Sequence, residues 1–108
     1  MTPVEYHEAA EDELLREIAY LELQARGLGR RFFAEVRRAE TLIARFPESA
    51  AEVLPGIRRR MLRTYRYSLI YSIEKEGSLI LAVAHHSRRP SYWVGRVRPS
   101  KNETAGRA

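Results

Sequence analysis

Apolar positions recur along this chain with two different periods, and the change of period divides it. Val4 and Tyr6 flank Glu5 just after Pro3, an alternation that predicts a first strand. Ala10, Leu14, Ile18, Leu21 and Ala25 then follow at spacings of four, four, three and four, which places them on one face of an amphipathic helix. The acids fall on its other side and early in the helix, where exposed amides and the macrodipole favour negative charge. Gly27-Leu28-Gly29 ends it. A second helix is predicted from about Arg30, with Phe32, Val36, Ala39, Ile43 and Phe46 on one face and Pro47 as its stop. A turn this short makes the two helices an antiparallel hairpin.

From Pro55-Gly56 the period becomes two. Residues 57–63 read as a strand dominated by arginine. Residues 65–75 set Tyr65, Tyr67, Leu69, Tyr71 and Ile73 on one side, with Arg66, Ser68 and Ser72 on the other. Glu74-Lys75-Glu76-Gly77 is a turn signal. The nearly continuous apolar run over residues 78–86 suits a strand inside a sheet. Arg88-Arg89-Pro90 breaks that strand, residues 91–96 form a short turn or helix, and residues 97–108 are polar and read as a flexible tail. The predicted order is β-α-α-β-β-β, an α+β fold: one domain over residues 1–96, with an antiparallel sheet packed under a two-helix hairpin. Strand parity adds that Leu79, Leu81, Val83 and His85 face the helices along with Tyr67, Leu69 and Tyr71. Arg66, Ser68, Ser72, Ala82, Ala84 and His86 then share an opposite face that neither helix covers.

Composition narrows the class. A chain of 108 residues with 44% apolar content fits one small globular domain. No apolar run approaches the ~20 residues that span a bilayer, and the N-terminus does not read as a signal peptide, so a cytoplasmic protein with no membrane partner is expected. Cysteine is absent, which removes disulfides and thiolate sites. The net charge of +5 conceals an asymmetry: residues 1–25 hold seven acids and one base, a balance of −6, and the remainder holds 18 bases and seven acids, a balance of +11. Such a split suits a basic surface for nucleic acid or an acidic partner. Since 17 of the 19 bases are arginine, a GC-rich coding sequence is an equally good source of the arginine excess, though not of the clustered acids.

Several chemistries fall away. Gly27-x-Gly29 follows a helix instead of a strand, so it reads as a helix-ending turn and not a phosphate loop. Neighbouring His85 and His86 point to opposite faces of a strand and cannot share one metal, and no cofactor or metal is expected. Asp12, the only aspartate, lies in the acidic first helix, and Glu74 and Glu76 belong to a distant turn, so neither a triad nor a carboxylate pair is supported. His86, Arg88, Arg89, Tyr92 and Trp93 remain, beside the row Arg58, Arg59, Arg60, Arg63 and Arg66. Arginine binds phosphate in bidentate fashion and aromatic rings stack on unpaired bases. Cleavage of RNA through its 2′-hydroxyl needs a base, an acid and cations around the developing phosphorane, roles that histidine, tyrosine and arginine can fill. The same residues equally suit a core cap (Tyr92, Trp93) and a solvated strand edge that resists aggregation (the arginine row).

Over residues 3–96 the chain resembles the RelE/ParE superfamily of toxins from type II toxin–antitoxin systems. The likeness rests on the helical hairpin, on Tyr65-Arg66-Tyr67-Ser68-Leu69-Ile70-Tyr71, and on the ending Ala82-Val83-Ala84-His85-His86-Ser87-Arg88-Arg89-Pro90-Ser91-Tyr92-Trp93. It is most similar to the ParE-like, plasmid-stabilisation branch. The resemblance implies a toxin neutralised by a cognate antitoxin that wraps over it, with a toxin–antitoxin heterotetramer as an assembly open to the pair. It also implies one of two targets. RelE-like members cut mRNA in the ribosomal A site without metal; ParE-like members inhibit DNA gyrase and have no known hydrolytic centre. RelE-like nucleases carry an arginine near the position of Ser68 and a basic residue six positions before a C-terminal tyrosine. Here Tyr92 matches that tyrosine, but His86 occupies the basic position, so the nuclease set is incomplete and the resemblance favours a gyrase inhibitor. The alternative is a metal-independent mRNA endoribonuclease with His86, Arg88, Arg89 and Tyr92 as its catalytic group, followed by a non-toxic basic binding module. On either toxin reading Arg58, Arg60, Arg63, Arg66 and Trp93 are the candidates for binding antitoxin or nucleic acid.

Overall fold

The computed structural model describes residues 1–98. Strand β1 (Val4–Tyr6) leads into helices α1 (Glu8–Gln24) and α2 (Leu28–Arg45). Strands β2 (Ala51–Leu54), β3 (Ile57–Met61), β4 (Tyr67–Glu74) and β5 (Gly77–His85) follow, then a 3₁₀ turn over Val94–Arg96. The strands form one sheet in the order β1-β5-β4-β3-β2. The α+β order is the one expected, with two additions. β1 joins the sheet parallel to β5, while the other pairs are antiparallel. β2 is an extra edge strand; all four of its residues are exposed, so it carries no apolar alternation by which the sequence announces a strand.

Local chemistry sets both helix starts. The His7 ring Nδ1 accepts from the Ala9 amide at 3.0 Å and caps α1, while the His7 amide donates to the Ile80 carbonyl at 2.8 Å and fixes that helix end to β5. Gly27 opens α2 from the left-handed region, at φ 83°. Both Glu22 carboxylate oxygens accept amides there, Gly27 at 2.8 Å and Gly29 at 3.0 Å. A Cβ at Gly29 would lie 2.3 Å from the Ile18 carbonyl oxygen. The Gly-Leu-Gly segment is therefore the elbow of the helical hairpin, and its second glycine lets the two helices touch.

Phe32, Val36, Ala39 and Ile43 of α2 and Ala10 and Leu14 of α1 bury themselves against Tyr67, Leu69, Tyr71, Ile80 and Val83. Parity holds for β4 and for Val83 and His85, but it fails for Leu79 and Leu81. Ile70 pairs with Ala82 and Tyr71 with Ile80, which leaves Leu81 as the extra residue of a β-bulge. Beyond the bulge the alternation inverts, so Ile80 faces the helices and Leu79 and Leu81 face away. There they form a second core with Ile57, Ile70, Ala82 and Trp93, against which Tyr92 and Val97 pack. The face expected to lie uncovered is thus half covered by the chain's own C-terminal segment. The expected tail over 97–108 begins with Val97 packed on this core and Arg98 within 3.6 Å of Glu74; its remaining residues lie outside those described.

Gly29→Ala should lower stability by about 1–3 kcal/mol, because the new methyl meets backbone and not a movable side chain. Urea unfolding should show a lower midpoint at unchanged slope.

Candidate functional site

After β5 the chain reverses through a type II turn. Pro90 sits at its second position, Ser91 adopts φ 64° at the third, and the Tyr92 amide donates to the Arg89 carbonyl at 3.3 Å. This turn carries Tyr92 and Trp93 back across the sheet. His86, Arg88, Arg89 and Tyr92 thereby come together, lining a groove of about 200 Å³ with Ser68 of β4 and Arg59 of β3. The His86 Nε2 and the Ser68 hydroxyl are 2.9 Å apart. Trp93 lines the same groove but is buried, so it forms part of the floor and offers no exposed stacking face. His85 turns the other way, edge-on to the Tyr67 ring at 4.9 Å, so the two histidines diverge as strand alternation requires.

The arginine row does not make one surface. On β3, Arg58 and Arg60 pair with Tyr71 and Leu69 and so share the helix side of the sheet. Arg58 donates to the Glu48 and Ala50 carbonyls at 2.9 and 2.8 Å, and Arg60 to the Ser49 hydroxyl, so both guanidiniums hold the loop that enters β2. Arg63 borders a separate groove with Arg38, Leu42 and Met61. Arg66 is exposed at the start of β4, and its carbonyl accepts the His86 amide at 2.9 Å. Arg59, pointing away from the helices, is the member of the row that joins the His86 groove.

Tyr92 is held by a residue that sequence reasoning missed. Glu13 of α1 is buried, and its carboxylate accepts the Tyr92 hydroxyl at 2.9 Å and the Val83 amide at 3.0 Å. Arg96 closes on the same carboxylate with two bonds of 3.0 Å and gives another, of 2.9 Å, to the Leu81 carbonyl in the bulge. The Arg88 guanidinium lies 3.9 Å from the centre of the Tyr92 ring. Burial, followed by the bond to Glu13, pushes the Tyr92 hydroxyl up to about 12, so it stays a neutral donor at physiological pH. The only hint in the sequence was position: Glu13 adjoins Leu14 on the flank of the inward stripe.

The same device recurs. Tyr67 donates to Glu17 of α1 and Tyr6 to Glu40 of α2, each at 2.5 Å, and Tyr71 donates to the Pro47 carbonyl just past α2. Glu13 and Glu17 are thus not part of a solvated outer face, as the helix pattern suggested. They are acceptors that clamp the helical hairpin to the sheet. Among the described residues no group of three or more His, Cys, Asp or Glu is placed to hold a metal ion, and no helix is long and apolar enough to cross a membrane.

The fold is shared with a solved chain from the chromosomal ParDE TA system of P. aeruginosa. The TM-score is 0.67 and the identity 13%, covering 79% of this chain and 96% of that one. No curated protein matches the sequence. The sequence profile of the ParE toxin of the type II toxin–antitoxin system parDE matches residues 4–90, so the chain belongs to the ParE toxin family.

Removing one partner from the buried Glu13–Arg96 pair should cost about 3–5 kcal/mol, and replacing both by apolar residues should restore most of it. Chemical denaturation of Glu13→Leu, Arg96→Met and the double variant checks this as a cycle. Burial first and carboxylate bonds second raise Tyr6, Tyr67 and Tyr92 above the ordinary phenol value; burial alone raises Tyr71. The folded state therefore holds these protons more tightly than the unfolded chain does. That stabilisation is complete below about pH 10 and is lost as pH climbs through the raised values. Phenolate absorbance of these four rings should rise together with loss of helical circular dichroism.

Proposed function

We propose that this chain, acting in the cytoplasm, inhibits DNA gyrase when free and is silenced by a cognate antitoxin. The observation that carries this reading is the ParE family match over residues 4–90, nearly the whole described fold. The chemistry of the groove supports it. Ser68 stands where the nuclease branch carries an arginine, and it is engaged with His86. Tyr92, the residue a nuclease needs free at the scissile phosphate, gives its hydroxyl to Glu13. The domain over residues 1–96 is taken as the inhibitory unit, with residues 97–108 as an appended tail.

Of the residues expected to meet the antitoxin, Arg63 and Arg66 are exposed, whereas Arg58 and Arg60 are occupied by the β2 loop. An acidic antitoxin segment pairing with the exposed guanidiniums fits the chain's positive balance, and two such pairs would make a heterotetramer.

Purified toxin should stabilise gyrase cleavage complexes on supercoiled DNA while ribosome-bound message stays intact. Prior addition of the antitoxin should abolish the effect. Tyr92→Phe should keep full inhibition while lowering stability by about 1–2 kcal/mol. Codon-positioned cuts in ribosome-bound mRNA that vanish in His86→Ala, with gyrase unaffected, would overturn the proposal.

A further inference from the structure

Helix α1 is apolar on two opposite sides, unlike α2, whose apolar residues keep to one. Ala10, Leu14, Ile18 and Leu21 face the sheet and α2. On the far side Leu15, Ala19 and Leu23 follow one another at intervals of four, with Tyr20 beside them, all exposed. Leu15 is 60% exposed, Tyr20 56% and Leu23 85%. A single exposed leucine is ordinary; three large apolar side chains and an alanine on one helical face form a patch of the kind that marks an interface.

Charge selects the occupant. The N-terminal half of α1 is acidic on its outer side, with Glu8, Glu11 and Asp12 exposed. The elbow at its other end is basic, with Arg26, Arg30 and Arg31 exposed; Arg30 and Arg31 bring guanidinium nitrogens within 4 Å of a Cβ built at Gly27. A helix that is acidic at its start and runs into a basic elbow complements a reversed copy of itself. We propose that α1 is a self-association surface, on which a second copy of this chain packs antiparallel about a two-fold axis through Ala19. Within α1, residue i then faces residue 38 − i of the partner copy, a relation that follows from centring the pair on position 19. Leu15 meets Leu23 twice, and the acidic first turns, with Glu8 and Asp12, lie against the basic elbow of the other copy, which begins at Arg26. Ala19 meets itself, and its small side chain allows the axes to approach to about 8 Å. A parallel pair would instead stack the acids on acids. The two-fold contact is self-complementary and closes at two copies, so it makes a dimer and not a fibre. One helix pair is a small interface, so the dimer is expected to dissociate in the micromolar range. This inference is independent of the gyrase reading, because α1's outer side does not border the His86 groove.

Sedimentation equilibrium of the purified full chain over a roughly hundredfold concentration range should show reversible monomer–dimer association. Leu23→Asp, at an exposed position that leaves folding intact by circular dichroism, should weaken association about tenfold or more. Asp12→Arg and Arg26→Asp should each weaken it, and their combination should restore it, a rescue that damage to the fold would not produce. The chain contains no cysteine, so Ala19→Cys introduces a lone thiol, which should form a disulfide-linked dimer faster than Glu48→Cys, a control in the exposed loop before β2. A chain that stays monomeric throughout, a dimer indifferent to Leu23→Asp, or equal crosslinking at both positions would overturn the proposal. So would loss of antitoxin binding in Leu23→Asp from a wild-type chain that is monomeric, which would assign the patch to the antitoxin.

Discussion

A carboxylate removed from water must find donors, and Glu13 finds four: the Tyr92 hydroxyl, the Val83 amide and two nitrogens of Arg96. Meeting that demand organises the rest of the molecule. It ties α1 to β5, it requires the chain after β5 to double back across the sheet, and through Arg96 it reaches the carbonyl of the bulged Leu81. Once the C-terminal segment is held there, Trp93 can drop onto Ile57, Ile70, Leu79 and Leu81 and close a second core. The groove at His86 is what this closure leaves open at the other end of the sheet.

The network also shapes the chemistry of that groove. It holds the Tyr92 hydroxyl on Glu13, leaves Arg88 stacked on the phenol, and presents His86 paired with a serine. What remains accessible is a set of guanidiniums at the end of the sheet, suited to binding an anionic surface. Such a basic surface is compatible with membership of the ParE toxin family.

The lopsided charge acquires a structural meaning as well. Of the acids in the first 25 residues, Glu13 receives the Tyr92 phenol of the C-terminal segment, Glu17 the Tyr67 phenol of β4, and Glu22 the amides of the helical elbow. Among the bases, Arg58 and Arg60 serve a loop and Arg96 serves Glu13. A substantial part of both charge totals is therefore spent within the fold. The surface available to partners is smaller, and more sharply divided between α1 and the far end of the sheet, than the counts suggest.

Periodicity alone determined the two helices, their elbow at Gly27-Leu28-Gly29 and the three long strands, and chain order put His86, Arg88, Arg89 and Tyr92 together just after the last of them. These depend on neighbours within a few residues, and a repeat of 3.6 or 2 records them directly. Tertiary structure alone decided the parallel entry of β1, the edge strand β2, the inversion of Leu79 and Leu81 at the bulge, the burial of Trp93 and the pairing of Glu13 with Arg96. A bulge inserts one residue without altering the apolar pattern around it, so parity reads straight through it. A buried ion pair joins positions 83 apart, each of which reads as a surface charge until the other is beside it.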